Sequence, residues 1–415
     1  MKRYWKMKLT CLTPVHIGNG SSYNPSEYIY VPGNRGGDIY FLNEINWLQY
    51  LYKKKVIDLF ARDLQENINR NSPFSIYIWL VKNEKKLGHI QTVLTELEEC
   101  AAINTKEPAF LDFNRFTQKK SLNDVHPFIR SGNGNCYIPG SSIKGVLRTA
   151  LLVQDMMKDP EKYKPFWQKI AGLQPSQGSK SRFIKKELEH IAKDIEIKFA
   201  YSPKAVEDAK LNHRPVDIVN DLFKYIQVSD AKAEDPLQMG VVQKVDFGIR
   251  AAETGDKPKT MPICRECILP GNALQFSISI DDQAVQPIGI HSMKDILSAL
   301  ERFTELQYGL QADIYSRGAG REMDQLRAAN CVLGGGAGYF SKTVLYALAV
   351  SQSDNFREGR DAGTRVVRAF MQETFSKGRH ERDRQLSPHT LKLTRYQNKT
   401  ALMGLCKVEV EQELC

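Results

Sequence analysis

The chain holds 415 residues, with 58 Lys and Arg against 48 Asp and Glu for a formal net charge of +10, and 42% of it is hydrophobic. This composition excludes a disordered chain and a collagen-like repeat. At roughly 100–200 residues per domain the length suits two domains or one elaborated domain.

Residues 4–13 alternate, with Trp5, Met7, Leu9 and Cys11 on one face and Lys6, Lys8 and Thr10 on the other, which predicts a half-buried strand. A turn through Pro14, Gly18 and Gly20 leads to a second strand over 27–31. Further strands are predicted at 76–81, 225–229, 274–280 and 402–410, and helices where apolar residues recur over 90–97, 143–151 and 296–303. Strands and helices mix without regular alternation, so the fold class is α+β with a largely antiparallel sheet. Segments 156–215 and 230–262, rich in Lys, Asp, Gln, Pro and Gly, read as insertions or projections. Residues 140–147 and 338–345 each place a Gly four positions before a Lys followed by Val-Leu, an echo of two related strand–loop–helix units.

The longest unbroken apolar run, residues 344–350, falls far short of the roughly 20 residues of a membrane helix. The basic N-terminus lacks the apolar stretch of a secretory signal. The expectation is a cytoplasmic protein with no membrane partner. Eight scattered cysteines suit a reducing compartment. Cys264 and Cys267 form a lone CxxC without a second half-site, so no metal is expected.

Charge is concentrated: residues 355–399 carry eleven Lys and Arg against five acids. Such a stretch attracts a phosphate backbone or forms an ordinary solvated face. At residues 138–149 an apparent strand meets a helix. There Ser141 or Ser142 can cap the helix, and its free N–H groups with Lys144 and Arg148, one turn apart, make an anion site. The second candidate loop is Gly334-Gly335-Gly336-Ala337-Gly338-Tyr339-Phe340-Ser341-Lys342. It resembles a P-loop but has Ser341 where the Walker pattern requires Gly, so no nucleotide cofactor is expected. Glycine backbone beside two rings suits a polynucleotide; a structural glycine turn is the alternative. His126, His213, His291 and His389 read as isolated residues.

Six segments in order resemble the RAMP superfamily of type III CRISPR effectors, specifically the type III-A (Csm) subunit at the 3′ end of the crRNA. They are 12–20, 138–145, 227–230, 265–271, 334–342 and 387–394. The resemblance implies a ferredoxin-like (RRM-type) palm with helical insertions and a thumb β-hairpin, and leaves room for a second, degenerate RRM-like unit. Residues 1–230 would form the palm, with a helical insertion at about 156–215; 231–262 the thumb; and 263–415 a C-terminal RRM-like part with the Gly-rich loop and basic tail. RNA would be held by His16, Gly18, Gly20, Ser141, Ser142, Lys144, Arg148, Gly334, Gly335, Gly336, Lys342 and Lys392. The implied partners are crRNA, target RNA through the crRNA duplex, other Csm subunits, chiefly the backbone RAMP paralogue, and host nucleases that trim the crRNA 3′ end. The RNA-cutting paralogue of the family carries an Asp after its first Gly-rich turn; residues 21–27 contain none, and Glu27 is the only carboxylate there. A non-enzyme is therefore expected. The runner-up is a metal-independent endoribonuclease processing crRNA with His16 as general acid or base; a third reading is a scaffold binding an acidic protein. Bulky substitution at Gly335 or Gly336 is expected to block RNA while leaving the fold intact.

Overall fold

In the computed structural model, which describes residues 2–33, 36–72, 74–112, 123–173, 183–201 and 220–414, the first alternation becomes β1 (Lys2–Cys11). Trp5, Met7, Leu9 and Cys11 are buried and Lys8 is exposed. Beside it run β6 (Ile226–Val228), β9 (Ala273–Asp281), β10 (Cys331–Val332) and β13 (Leu405–Leu414). The sheet order is β10-β13-β1-β9-β6, every neighbour antiparallel. The two ends of the chain are thus neighbours in one sheet.

Its buried face is covered by α5 (Gly140–Lys158) and by α9 (Met293–Ala328), which kinks at Ala319 between Gly318 and Gly320. Helices α6 (Pro160–Ala171), α7 (Phe183–Ala200), α10 (Leu345–Ser351) and α11 (Phe356–Thr374) complete this core. Met7, Leu9, Leu274 and Ala299 are fully buried; each large apolar side chain so placed contributes about 1.5–3 kcal/mol.

The second sheet contains β2 (Tyr28–Gly33), β3 (Gly36–Leu42), β4 (Ile103–Phe110), β5 (Val125–His126), β7 (Met239–Gly248), β8 (Lys259–Ile268), β11 (Thr390–Tyr396) and β12 (Lys399–Leu402). Its order is β12-β11-β7-β4-β3-β2, with β8 on β7 and β5 on β8. Helices α1 (Glu44–Lys53), α2 (Ile57–Asn69), α3 (Ile76–Lys82) and α4 (Ile90–Glu99) form a separate small core on β2 and β3. There the Phe60 ring meets Trp47 and Trp79 edge-on at 5.6 and 5.0 Å.

Four expectations are corrected. Residues 76–81 are helix α3 and not a strand: Ser75 accepts the Ile78 N–H at 3.3 Å, and burial falls on Ile76, Trp79 and Leu80 while Ile78 and Val81 face solvent. A short apolar run fits either period, and the docking face decides. Segment 402–410 is broken by a turn at Gly404, whose φ is +80°. The described parts of 156–215 are no projection, since α6 and α7 bury Tyr163, Ile170, Ile184 and Ile191 in the main core. Nor does 230–262 stand free: β7 and β8 form a hairpin inside the second sheet, and α8 (Ile249–Thr254) at its tip packs on α9. The internal echo also differs locally, because Gly140 opens α5 directly whereas Gly338 precedes a 3-10 turn and α10 begins only at Leu345.

Candidate nucleic-acid interface

Where β1 ends, residues 14–17 pass between four neighbouring segments. Val15 exchanges backbone hydrogen bonds with Ile268 at 3.0 and 2.9 Å, and Ile129 N–H donates to Ile17 O at 2.8 Å. Gly404 N–H donates to Pro14 O at 2.9 Å, and Gly335 N–H to His16 O at 2.8 Å. The glycines permit this approach. A Cβ on Gly334 (φ +88°) would lie 2.3 Å from His16 O, one on Gly335 would lie 2.9 Å from His16 Cδ2, and one on Gly336 (φ +86°) 2.5 Å from Met403 Sδ. A bulky residue at Gly335 or Gly336 therefore collides with the protein itself, and the expectation of an intact fold is corrected. The solvent-facing part of the first loop is Gly18, Asn19 and Gly20.

His16 is 5% exposed. Its Nδ1–H donates to the Glu266 carbonyl at 2.7 Å, Phe128 meets its ring edge-on at 6.3 Å, and burial pushes the imidazole down to about 4. Burial thus favours the neutral imidazole, with Nδ1 engaged by the Glu266 carbonyl. Beneath it the Glu266 carboxylate accepts the Phe128 N–H at 2.7 Å and pairs with Arg130, whose guanidinium stands 3.6 Å from Glu107. Burial, and next the charge of Glu266, push the Glu107 carboxyl up to about 9.

The N-terminus of α5 is held by a residue from another motif. Asp230 Oδ1 accepts the Gly140 N–H at 2.8 Å, and neither Ser141 nor Ser142 caps the helix. The chain around Ser229 passes so close that a Cβ on Gly140 would lie 2.3 Å from Val228 O. A carboxylate thus already satisfies part of the anion site read there. Ser141 is exposed, and Ser142 and Lys144 are half-buried; burial pulls the Lys144 ammonium below its usual range. Arg148 is bound to Asp221 at 2.6 Å and Glu196 at 3.5 Å and lies 4.7 Å over the Phe223 ring.

The two predicted loops do converge: Arg148 and Lys342 line one cleft of about 350 Å³ with Thr149, Lys185, Tyr339 and Phe370. Lys342 is exposed and makes no ion pair among the described residues. Lys392 and Lys244 share the single carboxylate of Asp246, at 3.1 and 3.3 Å, beside Gly338. In the basic stretch, Arg360 grips both oxygens of Asp313 at 2.7 Å and Arg395 reaches Asp112 at 3.1 Å. Arg357, Arg365, Lys377, Arg379, Arg382, Arg384 and Lys399 remain exposed.

Sequence reasoning missed two features. Asp230 lay in a quoted motif without a role, and His389, read as isolated, stands with His380 and Asp383; the spacing His-x₂-Asp-x₅-His was the available signal. His213 lies outside the described residues. Cys264 and Cys267 are buried in β8, and burial pushes the Cys264 thiol up to about 12. Among the described residues no helix is long and apolar enough to cross a membrane.

The "CRISPR system Cms protein Csm5" of Mycobacterium tuberculosis (strain CDC 1551 / Oshkosh) is 27% identical over 98% of both chains. The protein of that name from Enterococcus italicus is 24% identical over 83% of this chain and 81% of its own. The fold matches a chain of the solved "Csm-crRNA-target RNA ternary complex in type III-A CRISPR-Cas system" with a TM-score of 0.55, at 18% identity over 99% of this chain and all of that one. The RAMP superfamily profile matches residues 8–306, which hold the first four of the six motifs, the end of β1, and all of α5 and β9. The chain belongs to the RAMP superfamily.

Proposed function

We propose that this chain is a non-catalytic RNA-holding subunit of a type III-A (Csm) effector complex. In this reading it grips the 3′-proximal part of the crRNA, ends the backbone filament and supports crRNA maturation in antiviral defence. The observation that carries it is a set of exposed cations on a RAMP fold that make no ion pair among the described residues: Lys342, Arg357, Arg365, Lys377, Arg379, Arg384 and Lys399. Unpaired cations bind phosphate at least cost, because no existing ion pair is broken. The relatives named as Csm proteins, similar over 98% and 83% of the chain, support the same assignment. Its partners are then crRNA, target RNA through the crRNA duplex, the other Csm subunits, chiefly the backbone RAMP paralogue, and host nucleases acting on the 3′ end, all in the cytoplasm.

We read the five-stranded sheet as the ferredoxin-like palm. In support, α5 lies between β1 and β6 in the chain, α9 between β9 and β13, and the spatial order is β13-β1-β9-β6. The β7–β8 hairpin occupies the thumb's place in the sequence. Absence of catalysis is supported by the neutral, buried His16 and by Glu27, whose carboxylate accepts the Asn24 N–H at 2.7 Å and is tied into its own turn.

The test is a salt series of the full chain with labelled single-stranded RNA, with and without Mg²⁺, read for shift and cleavage. Binding should weaken with salt, leave the RNA intact, and lose roughly 0.7 from the log–log slope in Lys342→Ala. Cleavage by the purified chain that His16→Ala abolishes, or an unchanged slope in Lys342→Ala, would overturn the reading.

A further inference from the structure

One cluster of metal-ligating side chains joins two residues outside the six motifs, His380 and Asp383, to His389 of the last motif. His380 Nδ1 is 3.0 Å from Asp383 Oδ2, His389 Nδ1 is 2.5 Å from Asp383 Oδ1, and the three donor atoms lie within 4.8 Å of one another. We propose that His380, Asp383 and His389 bind one divalent transition-metal ion of the zinc class, which staples the basic segment 377–384 to the body of the protein.

The donor set is two imidazole nitrogens and one carboxylate, borderline ligands that select zinc, cobalt or nickel over magnesium or calcium. An ion about 2.0–2.1 Å from each donor needs the two His–Asp separations of 3.0 and 2.5 Å to widen. It takes each imidazole's Nδ1 lone pair, the ring proton lying on Nε2, and any further ring proton leaves to solvent. The carboxylate is already oriented: Ser387 Oγ donates to Asp383 Oδ2 at 2.6 Å, and Tyr346 of α10 donates to the Ser387 carbonyl at 2.7 Å. Such outer hydrogen bonds are the usual support of a metal ligand. The backbone is shaped for the same end. Arg379 sits at φ +54°, turning the chain so that His380 returns over Asp383. Gly378 leaves room for the ring, since a Cβ there would lie 2.5 Å from His380 Cδ2.

Asp383 is buried, His380 nearly so, and the His389 side chain is 35% exposed. Three protein donors leave the fourth tetrahedral position to an external oxygen ligand on the His389 side. Arg379, Arg382 and Arg384 flank the ligands in the chain and Arg368 donates to the Asp383 carbonyl at 3.3 Å; these cations oppose the ion's charge, so affinity rests on the convergence of the donors. His380 and Asp383 come from the basic segment and His389 from the residue before β11. Bound metal therefore joins a cation-bearing loop to the sheet.

The test uses the full chain stripped with a chelator, titrated with Zn²⁺ and, for its visible spectrum, Co²⁺. One equivalent should bind, with the absorption of a tetrahedral nitrogen–oxygen site, and His389→Ala should weaken it by more than about tenfold with an unchanged far-ultraviolet circular dichroism spectrum. Tryptic cleavage after Lys377, Arg379, Arg382 or Arg384 should slow with metal in the parent protein and not in the variant. Absence of stoichiometric binding, or binding in both His389→Ala and His380→Ala as tight as in the parent, overturns the proposal.

Discussion

Replacing Glu107 by Gln should stabilise the protein, and by an amount set by pH. Glu107 is 5% exposed, one carboxylate oxygen has no hydrogen-bond partner, and burial with the neighbouring Glu266 charge raises its pKa from 4.5 to about 9. In the unfolded chain it ionises near 4.5; in the folded chain it keeps its proton to about 9. The folded state therefore binds the extra proton, and stability is lost as pH rises from 4.5 toward 9. Each pH unit in that window costs 1.36 kcal/mol, so at pH 7 the penalty is about 3 kcal/mol. Gln donates to Glu266 as the protonated acid does and carries no ionisation to suppress. Urea unfolding followed by circular dichroism at pH 5, 6.5 and 8 should show Glu107→Gln nearly level with the parent at pH 5 and increasingly more stable above it. A stability gap that is constant across this range means that Glu107 is ionised beside Arg130, and refutes the reasoning.

Gly404→Ala should cost at least about 3 kcal/mol in denaturant unfolding, since the added Cβ would lie 2.0 Å from the Leu333 carbonyl at φ +80°. Arg148→Ala should cost about 2 kcal/mol by leaving the half-buried Asp221 unpaired and the Phe223 ring uncovered, while the salt slope of RNA binding stays as it was. His16 works in the opposite sense to Glu107. Its folded pKa of about 4 lies below the unfolded 6.5, so its contribution is present above pH 6.5 and is lost as pH falls toward 4. His16→Gln should flatten the acid limb of the stability profile by about 1.4 kcal/mol per pH unit; an unchanged limb would show that the imidazole charges freely in the folded protein.

The period-2 pattern of residues 4–13 and the helical spacing over 90–97, 143–151 and 296–303 were legible because each records which face of a single element meets the core. Residues 76–81 were not, because six apolar residues satisfy both periods and only the fit of Trp79 and Leu80 against the small core selects the helix. The candidate site shows the same division. Glycines at 334–336 announced a close backbone approach, but a sequence does not say what approaches, and the neighbour is His16 and Met403 of the same chain. Likewise Arg148 and Lys342 look equivalent as cations, yet one is spent on Asp221 and the other is free.

By itself the sequence determined the α+β class, the strand that opens the chain, the basic character of residues 355–399 and the family resemblance, all carried by composition and local periodicity. Tertiary structure alone decided that Asp230 caps a helix 90 residues away, that the glycine loop packs against residues 14–17, and that His380, Asp383 and His389 meet. Hydrogen bonds, ion pairs and ligand sets depend on distances of a few ångströms between atoms far apart in the chain, and only the folded backbone sets those distances.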